Sequence, residues 1–381
     1  MLDLTSSLAG PTATEILGAL GADVVKVEHP DRGDEARDWG PRFFEGGSVL
    51  FFSANAGKRS LALDLKSPAG LEALLRLTDG ADVAVQSLRP GTAERLGFGP
   101  EALRARNPRL VYATIGAFGR TGPLDSEPGY DPLMQAAAGI MSLTGEAERP
   151  SVRVGVSLVD LGTGVWAALA IVAALHEGRG RTLDLSLYET ALSLVPYQLA
   201  DVLAGGEPSG RYGTAFPLIV PYQVFATVDG ELMIAAANDR LYAKLCDSVG
   251  APELADDLRF ATNPLRVENR DELIPLLQAN IAREATAPLL ARLRDAGVPT
   301  SPVNDLAEVA QEEQLRALGI LQELAGRELV SPPFSADGER IRYRSAPPLL
   351  GEHTAEILRE AGYGEQEITE FADAGVIRLA K

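Results

Sequence analysis

The first part of the chain alternates short apolar runs with longer amphipathic stretches, a pattern that predicts strands followed by helices. Apolar runs at residues 2–5, 22–28, 60–65, 82–85 and 109–115 predict buried strands. Helices are predicted between them, and each ends or begins at glycine, proline or serine. Regular alternation of strand and helix is typical of a parallel α/β sheet, which binds ligands at the carboxyl ends of its strands.

The apolar pattern of residues 154–189 predicts a strand, a turn, a helix and a further strand at 182–187. Residues 154–159 are expected to be extended. Residues 165–176 have almost no polar face, which predicts a core helix buried on all sides. Asp160 lies between these elements, next to Gly162 and Gly164, where the missing side chains would allow a ligand close to the backbone.

Two roles are open for Asp160. Aspartate is among the best N-cap residues, so it can simply begin the helix. Alternatively, it is a nucleophile, because a carboxylate with the ordinary pKa of about 3.9 is ionised at neutral pH without a base. Backbone N–H groups at a helix start would then stabilise an oxyanion beside it.

The pattern changes after a glycine-rich segment at residues 205–213. Short alternating runs at 222–227 and 231–236, joined by the turn Asp229-Gly230, predict a β-hairpin. Together with the helices that follow, the hairpin predicts a smaller α+β region. The predicted helices there span residues 240–249, 269–283 and 286–296, and a helix pair broken at Gly362 is predicted over residues 353–376.

Charge and cysteine content exclude several classes of function. The 381 residues carry a formal net charge of −18, which argues against nucleic acid and anionic membranes as partners. The single cysteine, Cys246, excludes an internal disulfide and a cysteine-based zinc site. The longest apolar segment, residues 165–175, is expected to be too short to span a membrane. Without a basic export signal at the start, a cytoplasmic location is expected.

One segment departs from this acidic background. Residues 51–110 contain nine Lys and Arg against six Asp and Glu, so they are a candidate landing area for a small anion, or else a set of solvated helix faces. The first β–α turn contains only Gly10, so the G-x-G-x-x-G fingerprint of nicotinamide and flavin cofactors is missing.

A series of stretches that covers nearly the whole chain resembles a known family. In chain order they are LDLTSSLAGPTATEILGALGADVVKVEHP, SANAGKRSLALDLK, RPGTAERLGFGPEALRARNPRLVYATIGAFGRTGP, PGYDPLMQ, VRVGVSLVDLGTG, GRGRTLDLSLYE and LLGEHTAEILREAGY. With these stretches the sequence resembles the class III CoA-transferases, the family of formyl-CoA transferase and carnitine CoA-transferase, to which α-methylacyl-CoA racemase is related.

The resemblance implies an α/β fold with a Rossmann-like large domain around a parallel sheet, a smaller α+β domain, and a homodimer of interlocked chains. The implied large domain comprises residues 1–204 and 349–381. Residues 205–220 are then a linker, 221–310 the small domain, and 311–348 the linker that returns to the large domain.

The resemblance also implies chemistry at Asp160. Its carboxylate would attack an acyl-CoA, form a mixed anhydride and then an aspartyl-CoA thioester, and pass CoA to a free carboxylic acid. No cofactor is permanently bound and no metal is expected; CoA and acyl-CoA are substrates. The implied CoA contacts are Leu8, Ala9, His29, Leu63, Lys66, Ser87, Leu88, Arg89, Arg95, Tyr130 and Asp131.

The sequence departs from the family pattern at several of these positions. His29 replaces a frequent arginine, Ser87-Leu88 replaces a common Asn-Phe pair, and Leu8 stands where formyl-CoA transferase has a glutamine. The glycine-rich substrate loop of that enzyme is missing; residues 236–240 read Ala-Ala-Asn-Asp-Arg. Formyl and oxalyl substrates are therefore not implied.

Two other functions stay open. One is a 2-methylacyl-CoA epimerase, although Tyr130 replaces the histidine that the racemase relatives have in this setting, and a tyrosine pKa of about 10 does not suit a general base. The other is a non-catalytic CoA-binding protein. The acid is not identified: Arg153, Arg211 or Arg240 would bind a second carboxylate, or each is a surface charge.

Overall fold

The computed structural model describes residues 1–380. The chain forms two compact units. The first comprises Met1–Ile140, Arg153–Pro208 and the residues from Arg316 onward, and the second comprises Met141–Val152 and Ser209–Leu315.

The first unit is built around a parallel sheet of six strands. The strands are β1 (Leu2–Leu4), β2 (Val25–Glu28), β3 (Arg59–Ala62), β4 (Val83–Gln86), β5 (Val111–Gly116) and β6 (Arg181–Ser186). Their order is β3-β2-β1-β4-β5-β6, and every neighbouring pair is parallel. This doubly wound order reverses between β1 and β4, where such sheets bind ligands. The predicted parallel α/β sheet is confirmed.

Helices cover both faces of this sheet. They are α1 (Ala9–Ala19), α2 (Pro68–Asp79), α3 (Thr92–Leu96), α4 (Pro100–Arg106), α5 (Asp131–Ala137), α6 (Leu158–His176), α7 (Leu187–Ser193) and α8 (Pro196–Leu203). Their local signals are readable from sequence. The Ser67 hydroxyl accepts a hydrogen bond from the Gly70 N–H and Pro68 takes the first helical position, so α2 begins where the Ser-Pro pair predicts.

Helix α6 differs from the prediction at its start. It begins at Leu158, so residues 154–159 are not a strand, and Gly162 and Gly164 lie inside the helix. A Cβ on Gly164 would lie 2.8 Å from the Thr12 Cβ and 2.9 Å from the Ala9 carbonyl oxygen on α1. Gly164 therefore serves close packing of α1 on α6, and the expectation that it admits a ligand is wrong. That contact offsets the roughly 1 kcal/mol that a helical glycine costs.

The prediction that α6 is buried on all sides is also wrong for the single chain. Val165, Trp166, Leu169 and Val172 are exposed, whereas the rest of the helix packs on α1, α5, α7 and the strands β5 and β6. Because the helix has 19 residues and a hydropathy of 2.0, its length and composition would also allow a membrane span, contrary to the expectation for residues 165–175. Such a helix is weak evidence for a membrane, since core helices share these properties.

The second unit has a three-stranded antiparallel sheet of β7 (Tyr222–Ala226), β8 (Glu231–Ala235) and β9 (Thr300–Pro302). The predicted hairpin at Asp229-Gly230 is confirmed by the pairing of β7 with β8. Helices α9 (Asp239–Ser248), α10 (Arg270–Ile281) and α11 (Thr286–Asp295) pack on this sheet around an apolar core. Shorter helical segments are Glu253–Asp256, Leu258–Phe260, Asn263–Glu268 and Leu306–Val309.

The tail from Arg316 onward adds to the first unit. It contains the hairpin β10 (Leu321–Leu324) and β11 (Arg327–Val330), then α12 (Thr354–Glu360) and α13 (Glu365–Asp373). The helix pair broken at Gly362 is confirmed. Ile357, Leu358 and Ile368 join the core formed by β1–β5, and Ile377 bridges to Leu63 at the end of β3. Remaining short elements are Glu35–Asp38, Phe43–Phe44, Gly47–Ser48, Val49–Phe52, Ile140–Leu143, Glu313–Ala317, Ser335–Ala336 and Glu339–Arg340.

Candidate active site

The predicted CoA contacts follow successive strands of the sheet at one edge. In sheet order, Leu63 and Lys66 follow β3, His29 follows β2, Leu8 and Ala9 follow β1, and Ser87–Arg89 follow β4. Because all strands are parallel, these residues share the carboxyl edge of the sheet. The segment that leaves β5 leads to α5, and α6 begins at the same edge because it returns the chain to β6. Asp160 thus reaches this edge from a helix start, not from the strand that the sequence predicted.

Three cations at this edge are exposed and nearly unengaged. Lys66 and Arg89 have no side-chain hydrogen bond or ion pair with another residue of the described range 1–380, and Arg95 reaches only the Thr92 hydroxyl at 3.5 Å. They are therefore available to an anionic ligand. His29 is half-buried and its Nδ1 accepts a hydrogen bond from the Asp31 N–H at 3.2 Å. Leu63 is buried beneath its bridge to Ile377.

Two other cations of residues 51–110, Lys58 and Arg59, are already paired. The Lys58 ammonium is fully buried and donates to Asp3 Oδ2 at 3.0 Å, the Pro11 carbonyl at 2.9 Å and Asn55 Oδ1 at 2.8 Å. Arg59 pairs with Asp23, Glu356 and Glu360. The landing area for an anion is therefore smaller than the charge count predicts, because sequence does not reveal which cations are already paired.

The loop after β1 is held in an unusual conformation. Ser7 has φ 69°, a left-handed value that is uncommon for a residue with a side chain. Its N–H donates to Asp34 Oδ1 at 3.0 Å and its hydroxyl donates to Glu35 at 2.6 Å. The Ser6 N–H donates to Ser87 Oγ at 3.1 Å, which ties the loop of Leu8 to the loop after β4. No local sequence pattern identifies Ser7, Asp34 or Glu35, because the contacts among them form only in the folded chain.

Asp160 is the third residue of α6, and Ser157 occupies the N-cap position, so the N-cap alternative does not apply. Its carboxylate is half-buried and makes no ion pair with the described residues. Burial, followed by the charge of Asp131, raises the pKa of Asp160 to about 7. The expectation of an ordinary pKa is therefore wrong, because the sequence could not indicate a second carboxylate nearby or the loss of solvent.

The first turn of α6 has no free backbone donor. Asp131 Oδ2 accepts from the Val159 N–H at 2.7 Å and from the Asp160 N–H at 3.2 Å. The Leu158 N–H donates to the Val156 carbonyl, and the Leu161 N–H to the Ser157 carbonyl. The expectation that this helix start stabilises an oxyanion is not met in this structure, because an intramolecular carboxylate occupies the position.

Tyr130, next to Asp131, is 54% exposed and takes the N-cap position of α5. Its phenol makes no hydrogen bond with any of the residues described. Its side chain is therefore open to solvent, whereas Asp131 is buried, with a residue exposure of 2%.

The arginines considered for a second carboxylate differ in their engagement. Arg211, in the second unit, donates to the carbonyls of Glu146, Ala147 and Arg149 and to the Ser151 hydroxyl at distances of 2.7–3.2 Å. Its guanidinium holds residues 146–151, so Arg211 is not a free anion ligand. Arg153 reaches only the Val154 carbonyl, and Arg240 bonds to none of residues 1–380.

A cavity of about 880 Å³ opens beside the ends of β2 and β3, between the segment after His29 and the tail. Its lining includes the apolar residues Pro30, Phe43, Phe44, Leu349 and Ile377 and the cations Arg32 and Arg378. Asp160 does not line it. Among residues 1–380 no cluster of His, Cys, Asp and Glu is arranged to hold a metal ion.

The chain is similar to known proteins over nearly its full length. The profile of CoA-transferase family III matches residues 1–354. Succinyl-CoA:glutarate CoA-transferase of Mus musculus is 39% identical over 389 residues, which cover 99% of this chain and 89% of that protein. Acetyl-CoA:oxalate CoA-transferase of Acetobacter aceti is 38% identical and covers 94% of each chain. The crystal structure of a CAIB/BAIF family protein from Brucella suis is similar with a TM-score of 0.86 and 37% identity, covering 94% of this chain and 97% of that one.

Proposed function

This chain belongs to CoA-transferase family III, and we propose that it transfers CoA from an acyl-CoA to a free carboxylic acid through covalent intermediates on Asp160. The observation that carries the proposal is the setting of Asp160. Its carboxylate lies at the carboxyl edge of the sheet, partly withdrawn from water and without a cation, with the carboxylate of Asp131 nearby. A carboxylate in that setting is more basic than a solvated one and is a stronger nucleophile.

The reaction begins when a carboxylate oxygen of Asp160 attacks the thioester carbonyl carbon. The C–S bond breaks, CoA leaves as a thiolate, and a mixed anhydride joins the acyl group to Asp160. The thiolate then attacks the Asp160 carbonyl carbon, which releases the acyl group as a carboxylate and leaves an aspartyl-CoA thioester. An incoming carboxylate reverses both steps and takes CoA. Every step exchanges one acyl bond for another, so no oxidant or reductant is required.

The CoA portion is proposed to lie along the sheet edge. Lys66, Arg89 and Arg95 would hold its phosphates, because their cationic groups are exposed and unpaired. Leu8, Ala9, His29, Leu63, Ser87 and Leu88 would contact the remainder from the loops after β1 to β4.

For the acid we propose a short dicarboxylate. The names of the two relatives specify glutarate and oxalate, which both carry a second carboxylate. Arg153 remains a candidate to bind that group, because its guanidinium reaches only the Val154 carbonyl, whereas the guanidinium of Arg211 is engaged. We also propose a homodimer and a cytoplasmic location; the exposed Val165, Trp166 and Leu169 of α6 support the dimer.

The test is Asp160→Asn, with Asp373→Asn on the exposed face of α13 as a control for the same chemical change. Both proteins are incubated with succinyl-CoA and glutarate and products are followed by mass spectrometry. Loss of a covalent nucleophile should reduce turnover by about 10⁴-fold or more, and the control should keep full activity. Hydroxylamine with acyl-CoA should modify Asp160 in the wild type. Turnover of Asp160→Asn within tenfold of the wild type would exclude the proposed role.

A further inference from the structure

Asp131 has both carboxylate oxygens engaged inside the protein. Oδ2 accepts from the N–H groups of Val159 and Asp160, and Oδ1 accepts from the Gln135 amide at 2.6 Å. The residue is 2% exposed. An acid with three donors and so little exposure has no free face for CoA, so Asp131 is not the CoA contact that the family resemblance implies.

Two of the three donors lie on the segment that carries the reactive carboxylate. One of them is the backbone N–H of Asp160 itself. Gln135 lies one turn further along α5, and its amide oxygen accepts a hydrogen bond from the Val154 N–H at 2.8 Å. Asp131 thus binds the first turn of α6, and Gln135 binds the chain segment before that helix. A charged acceptor at a helix N-terminus is stabilised by the helix dipole and makes stronger hydrogen bonds than a neutral one.

We propose that Asp131 is a positioning residue for Asp160: its carboxylate fixes the first turn of α6 and places a negative charge beside the reactive carboxylate. The inference rests on the proposed role of Asp160 as nucleophile. Held in this way, Asp160 keeps a single backbone position through the four acyl exchanges of a turnover. The adjacent charge disfavours a second anion, so Asp160 becomes more basic and more nucleophilic.

Asp131 is the charged neighbour that affects the pKa of Asp160. Burial and then Asp131 raise the pKa of Asp160 to about 7. Helix α1 presents the uncharged Thr12 to α6, and α7 presents Thr190, whose hydroxyl accepts from Thr163. The acids of these helices are engaged elsewhere: Glu15 with the Ala56 N–H and Tyr343, and Glu189 with Ser186.

The experiment compares the pH dependence of kcat in Asp131→Asn and in the wild type between pH 5 and 9. The wild-type rate should rise with pH as Asp160 loses its proton near pH 7. Removal of one neighbouring negative charge should move this midpoint down by about one pH unit. The KM for acyl-CoA should stay within twofold, whereas a residue that binds CoA would raise it.

Two variants separate charge from structure. Gln135→Met keeps the Asp131 charge but removes its amide partner, so the midpoint should stay at the wild-type value. Asp131→Glu keeps the charge and should restore the midpoint even if kcat falls. If Asp131→Asn does not fold, Asp131→Ser, which keeps a hydroxyl acceptor, is measured in its place. A folded variant with an unchanged midpoint, or with a raised KM alone, would overturn the proposal.

A titration without turnover separates this inference from the proposed function. Protein with ¹³C at the aspartate carboxyl is titrated by NMR, and the Asp160 signal is identified by its loss in Asp160→Asn. A lower midpoint in Asp131→Asn supports the positioning role even if Asp160→Asn remains active. An unchanged midpoint contradicts that role even if Asp160→Asn is inactive.

Discussion

Two aspartates of the first unit, Asp3 and Asp160, are both withdrawn from water, but their pKa values shift in opposite directions. Burial alone would raise the pKa of Asp3, but Lys58, Lys26 and the hydroxyls of Thr5 and Thr14 outweigh it and hold that pKa far below its usual range. Asp160 has burial without a cation, and Asp131 adds a like charge, so its pKa rises to about 7. Burial raises the pKa of both carboxylates, and the charges and donors beside each one decide whether that rise is reversed, as at Asp3, or persists, as at Asp160.

The opposite pKa shifts of Asp3 and Asp160 correspond to different roles of the two side chains. Around Asp3, the ammonium of Lys26 also binds the Thr5 carbonyl at 3.0 Å and Asp34 at 2.7 Å, so ion pairs fix the loop after β1. That loop carries Leu8 and the left-handed Ser7. Asp160 has no such partner and keeps its oxygen lone pairs for a ligand. The paired acid is structural, and the unpaired acid is suited to chemistry.

The largest change in stability is expected from Lys58→Met, which removes the cation that pairs with Asp3. The variant leaves Asp3, Pro11 and Asn55 without their shared donor. Removal of one partner of a buried ion pair should lower the free energy of unfolding by about 3–5 kcal/mol, measured by urea unfolding at pH 7. Lys66→Met, at an exposed and unpaired site, is the control and should change it by less than about 0.5 kcal/mol. Equal stability of the two variants would contradict the structural role of the buried cluster.

A smaller effect of opposite sign is expected from Asp160→Asn. The pKa of Asp160 is higher in the folded protein than in the unfolded chain. Between about pH 4 and 7 the folded protein therefore holds a proton that the unfolded chain has lost, so the stability of the fold decreases as pH rises through this range. The Asn variant lacks this penalty and should be more stable than the wild type at pH 8 by about 1–2 kcal/mol, after allowance for solvent screening.

The matched variant Asp3→Asn should instead be less stable than the wild type at neutral pH. The depressed pKa of Asp3 contributes stability that is present above the unfolded pKa and is lost as pH falls toward the folded value. Thermal unfolding of both variants at pH 5 and pH 8 measures the two signs. Destabilisation of Asp160→Asn at pH 8 would mean that Asp160 is paired in the way that Asp3 is.

The smallest effect, no effect at all, is expected for α-proton exchange. An epimerase needs an acid/base group on each face of the carbon, and next to Asp131 the chain has the phenol of Tyr130. A 2-methylacyl-CoA incubated with the protein in deuterated water should keep its α-proton by NMR. Deuterium uptake at about 1 per second or faster, a rate typical of enzymes, would favour the epimerase over the CoA-transferase.

The sequence by itself determined the features that depend on local signals. Apolar periods predicted a parallel α/β sheet and each of its six strands, together with an extended segment at 154–159 that is not a strand. The Ser67-Pro68, Asp229-Gly230 and Gly362 signals predicted a helix start, the hairpin and the broken helix pair. These elements follow from backbone preferences within a few residues. Parallel order also brought the predicted CoA contacts to one edge, and the motif around Asp160 indicated the family.

Only the tertiary structure decided how far α6 extends and which charges are free. Gly162 and Gly164 suggested a loop, but contact of Gly164 with α1 makes a glycine inside a helix favourable. Lys58 and Lys66 carry the same side chain, yet one is enclosed by Asp3 and Asn55 and the other faces water. Asp131 meets the first turn of α6 across a long stretch of sequence. Pairing, burial and the resulting pKa depend on neighbours distant in the chain, so they arise only when the chain folds.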